Sequence, residues 1–145
     1  MQKLFERQAD LFPLRPAGGT YFVPQRHAAF IDKTQDLLNR VGGRLLRFPV
    51  PAGTAEGDRS VTQAVADGLA AVVAEHRAAV AQFGTDTRGD TLERAAEKIR
   101  TTKFKLTAYS EYLAGERDRL DRAVADAERA LRDKVAEIAG EPAVV

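Results

Sequence analysis

The side chains best suited to chemistry are two histidines and a short run of cations, and neither set forms a recognisable reaction centre. His27 and His76 lie far apart in the chain and there is no cysteine, which argues against thiolate chemistry, disulfides and a histidine-based metal site. Neither a Gly-x-Ser-x-Gly elbow nor a Gly-x-x-x-x-Gly-Lys phosphate loop occurs. The chain therefore reads as non-enzymatic, with no cofactor and no metal. His76 falls on an apolar helical stripe, where a ring packs and points a nitrogen at a polar neighbour. Lys98, Arg100, Lys103 and Lys105 form a stretch without acidic residues, with Phe104 among them. Cations on one stripe neutralise phosphates. At about 100° per residue these divide, Lys98 and Lys105 on one side and Arg100 and Lys103 roughly opposite. Arg44 and Arg47 would extend the set, which makes nucleic acid the alternative partner.

Composition narrows the classes further. The chain has 145 residues, 44% hydrophobic and 30% charged, enough for one domain with its own core. Formal net charge is +1, too small to draw nucleic acid or a membrane by field alone. No stretch approaches the roughly 18 apolar residues of a membrane span, and the start lacks an apolar signal core. A cytoplasmic protein is expected. Between Glu111 and Asp133, carboxylates alternate with arginines at spacings of three and four, the pattern of a solvated helix face.

Glycine and proline divide the elements that must position these residues. Leu11–Arg15 and Thr20–Val23 flank Pro16-Ala17-Gly18-Gly19, a β-hairpin pattern. Pro24 suits the first turn of a helix that runs to about Val41 and stops at Gly42-Gly43. Arg44–Val50 is apolar and β-preferring, an edge strand given Pro49. Residues 1–57 thus read as a ββαβ head with a helical tail before it, ending in the small-residue linker Ala52–Gly57. Residues 58–145 read as a helical hairpin.

Ser60-Val61-Thr62-Gln63 fits a capping box, and Val65, Leu69, Val72, His76, Ala79 and Phe83 follow at coiled-coil spacing. After the loop Gly84–Gly89, Leu92, Ala95, Ile99, Thr102, Leu106, Tyr109 and Leu113 repeat that spacing. Beyond Gly115 come Leu120, Val124, Leu131 and Ile138. A single glycine weakens a helix by about 1 kcal/mol without ending it, so the pattern predicts one helix from Asp90 to about Ala139. Its mate would cover it only to Leu113. Leu120, Val124, Leu131 and Ile138 would then form an apolar strip awaiting a partner: the ββαβ head, the N-terminal residues Leu4–Phe12, a second copy or a docked protein.

The segment Gly18-Gly19-Thr20-Tyr21-Phe22-Val23-Pro24, followed by a helix, an apolar strand and long helices, resembles an uncharacterised domain family of bacteria and their phages. The resemblance spans residues 11–139. It implies a piece of a larger protein, with the head and hairpin as its carboxy-terminal part. The fold expected is α+β and predominantly helical. The function expected is an interaction or assembly module that self-associates or docks a protein.

Overall fold

Proline and glycine do punctuate the chain, though not everywhere as expected. A computed structural model describes residues 9–15 and 19–140. It is mostly helical, with one small antiparallel sheet, and divides into two compact units, Met1–Ala64 and Val65–Val145.

In the first unit, β1 (Phe12–Pro13) pairs with β2 (Tyr21–Phe22) in the register Phe12↔Phe22 and Pro13↔Tyr21. The Leu14 N–H donates to the Thr20 carbonyl at 3.0 Å, and the Phe12 and Phe22 rings sit 6.4 Å apart. The strands are shorter than predicted; Pro13 has no N–H to extend the ladder. The turn residues 16–18 lie outside the described residues, as does the helical tail expected before residue 9. Pro24 precedes a 3₁₀ turn, Gln25–His27, and then α1 (Ala28–Arg40). Gly42, at φ +76°, closes α1 in a Schellman motif. The Gly43 N–H donates to the Leu38 carbonyl at 2.8 Å and the Gly42 N–H to that of Asn39 at 3.3 Å.

Two expectations fail next. Among the described residues Arg44–Val50 pairs with no strand. The helix α2 (Ala55–Ala81) begins before the predicted capping box, at the end of the expected linker. Thr54 caps it. Its Oγ accepts the Gly57 N–H at 3.1 Å, and its carbonyl accepts that of Asp58 at 2.9 Å. Ser60–Gln63 therefore lies within the helix.

The second unit holds the rest of α2 with α3 (Gly89–Ala108) and α4 (Arg117–Ala139). The single helix from Asp90 to Ala139 does not exist. α3 ends at Tyr109, a short helical turn covers Ser110–Leu113, and a 3₁₀ turn covers Ala114–Glu116. Ala114 adopts φ 43° and ψ −123°, which breaks the helix, and the chain reverses. α4 then packs antiparallel on α3, for Lys103 meets Glu128 while Ala96 and Ile99 lie with Leu131 and Val135. Burial explains the reversal. Leu113, Leu120, Val124 and Ala127 are almost wholly covered, each large apolar one contributing roughly 1.5–3 kcal/mol that a single extended helix would forgo.

The stripe of α2 also differs from the prediction. Val65, Leu69, Val73 and Val80 are buried, whereas Val72 and Ala79 face out. From Val65 the buried positions step by four, four and seven, and half-buried His76 divides the seven into three and four, closer to the natural 3.6-residue turn than to a strict heptad.

Candidate functional site

The nucleic-acid set is divided between the two units. Arg44 and Arg47 belong to the first unit, and Lys98, Arg100, Lys103 and Lys105 to α3 in the second. Arg47 is paired with Asp32. Arg100 pairs with Glu97 at 2.8 Å and Lys103 with Glu128 at 3.0 Å. Arg47, Arg100 and Lys103 thus already have carboxylate partners among the described residues. The division around α3 is real: Lys103 faces α4, and Lys98 lies close enough to His76 on α2 to act on it electrostatically.

The predicted interaction strip does not form a surface. Leu120, Val124 and Leu131 are buried by the chain's own helices, and Ile138 is half-buried. The reversal at Ala114 supplies the cover that the expected hairpin lacked.

His76 is a structural link between helices. Thr102 Oγ donates to the Lys98 carbonyl at 3.0 Å, so its oxygen accepts from His76 Nε2–H at 2.9 Å. Desolvation lowers the His76 pKa below its ordinary value; Glu75 opposes this and Lys98 reinforces it. His27 works differently. Its Nε2 accepts the Asp10 N–H at 3.4 Å, while Arg26 reaches the Asp10 carboxylate at 2.9 Å, tying the segment before β1 to the start of α1. Among the described residues no group of His, Asp and Glu gathers as a metal site, and no helix is long and apolar enough to cross a membrane.

What sequence reasoning missed is a displayed apolar row. Gly43 lies against Leu38, and Arg47 reaches Asp32 and Gln35, so the chain after α1 runs back along that helix. Residues 43–50 contain no helix, turn or bend. The backward path fits extended chain. From Leu38 to Asp32 the helix covers about 9 Å, and four extended residues span about 13 Å. Side chains of extended chain alternate. Arg47 is turned to α1 and Leu45 is half-buried, while Leu46 is 76% and Phe48 81% exposed, with Val50 at 45%. Among the described residues no backbone hydrogen bond engages residues 44–50. The β-preferring composition was legible; its lack of a strand partner was not. A second apolar feature, a groove of about 410 Å³ between α3 and α4, is lined by Ala96, Ile99, Leu131 and Val135 and rimmed by Arg100, Arg132 and Glu128.

The described residues thus form a mostly helical fold with a two-stranded sheet and an exposed apolar segment after α1. The chain belongs to the family of unknown function DUF6744, whose model matches residues 1–143. No curated protein and no solved structure matches it.

Proposed function

We propose that this chain is a non-enzymatic interaction module that docks a protein through Leu46, Phe48 and Val50. The observation that carries this reading is the exposure of Leu46 and Phe48, next to each other in an alternating row. Large apolar side chains scattered singly on a surface need no explanation, but a contiguous row marks an interaction site. Arg47 supports the same reading, since its ion pair with Asp32 holds the segment on α1 and keeps the row outward. An interaction module is what the sequence suggested; the docking element moves from the carboxy-terminal helix to the segment after α1. The nucleic-acid alternative loses support because Arg47, Arg100 and Lys103 already carry carboxylate partners.

The test is a photo-crosslinking amino acid placed at Phe48 in cells, with exposed Phe104 as the control position. The docking reading expects a discrete protein adduct from position 48 alone, lost when Leu46→Asp is added. Equal adducts from both positions, or an adduct removed by nuclease, would sink it.

A further inference from the structure

We infer that Arg44–Val50 docks by adding itself as a strand to the open edge of a β-sheet in a partner protein; this rests on the docking reading above. In extended chain, the N–H and C=O of one residue point to the same side and those of the next to the other. Arg44, Leu46, Phe48 and Val50 therefore form one edge with every donor present. The opposite edge consists of Leu45, Arg47 and Pro49, and Pro49 has no N–H to donate. Pairing belongs on the even edge, where no donor is missing. The same four residues present Leu46, Phe48 and Val50 on one face, so a strand laid beside them gains ladder bonds and apolar contacts together.

The occupant is a sheet already formed elsewhere, not a second copy. Two such segments would make a two-stranded ribbon, which is marginal on its own in water. A preformed sheet edge removes that deficit, because its other strands are already held. Charge adds a second requirement. Arg44 is exposed and has no carboxylate partner among the described residues. On the even face it would lie opposite a residue of the added edge, and an Asp or Glu there is the complementary choice.

The probe is a designed β-hairpin peptide with an open Val/Thr edge strand carrying one Glu near its end. It is titrated into the full-length isotope-labelled protein while amide exchange is followed by NMR. Edge pairing predicts slowed exchange at Arg44, Leu46 and Phe48, with Leu45 and Arg47 unchanged. Leu46→Pro, which removes a donor on the pairing edge, should weaken binding about tenfold more than Leu46→Ala. Circular dichroism checks that both variants stay folded. Side-chain shifts without amide protection would overturn edge pairing yet leave the docking reading intact. A doubled mass in light scattering without peptide, abolished by Phe48→Asp, would overturn it in favour of a second copy. Absence of any effect at millimolar peptide would also overturn it, while the crosslink at position 48 judges docking separately.

Discussion

Replacing Ala114 by glycine distinguishes the reversed chain from an unbroken helix by the sign of one number. Ala114 sits at φ 43° and ψ −123°, a region that non-glycine residues avoid because Cβ crowds the neighbouring backbone. Such a conformation costs about 1–2 kcal/mol. Its methyl group is exposed, so glycine removes strain without removing packing. Against that, glycine raises the entropy of the unfolded chain by about 0.4–1 kcal/mol. Ala114→Gly should therefore stabilise the protein by about 0.5–1 kcal/mol, or about 1–3 °C in Tm. In a continuous helix the same change would destabilise it by about 1 kcal/mol. Urea unfolding followed at 222 nm measures the difference, with a solvent-facing Ala→Gly within α3 as a reference for the helical penalty. A loss of about 1 kcal/mol at Ala114 would refute the reversal and restore the long helix.

Three further changes read the packing. Leu120→Ala should cost about 2–5 kcal/mol and act on the fold; loss of a dimer with unchanged unfolding would return Leu120 to an intermolecular interface. Gly57→Ala should destabilise, although alanine is the better helix former, because a Cβ there would lie 2.6 Å from the Pro51 carbonyl oxygen; a raised Tm would show that the turn yields freely. The folded state lowers the His76 pKa, so the unfolded chain binds the extra proton first. Its contribution to stability should be complete above the ordinary value of 6.5 and decline as pH falls from there toward the folded value. Urea midpoints across that window should fall with pH in wild type more than in His76→Gln; parallel curves would remove His76 from the account.

The sequence alone determined the features that local chemistry decides. Gly42-Gly43 ended α1 because a left-handed residue was needed there, and Gly42 takes it. The apolar spacing of Ile99, Thr102, Leu106, Tyr109 and Leu113 gave the buried face of α3 and its corner, for these residues are the covered ones. His76 could be placed on a helix–helix seam, and the basic residues of α3 could be divided between two faces, by helical geometry alone. The reversal at Ala114 was not legible. Ala, Glu, Arg and Leu around it all favour helix, and Gly115 opposes that by only about 1 kcal/mol. What overrode them was the burial of Leu113, Leu120 and Val124 against the chain's own helices, a sum over contacts distant in sequence. Arg44–Val50 shows the converse. Its residues favour extended chain, and the segment contains no helix, turn or bend, but a strand exists only when another edge completes its hydrogen bonds. The segment's own residues cannot encode that edge; tertiary structure drew Arg47 to Asp32 on α1 and left Leu46 and Phe48 facing outward.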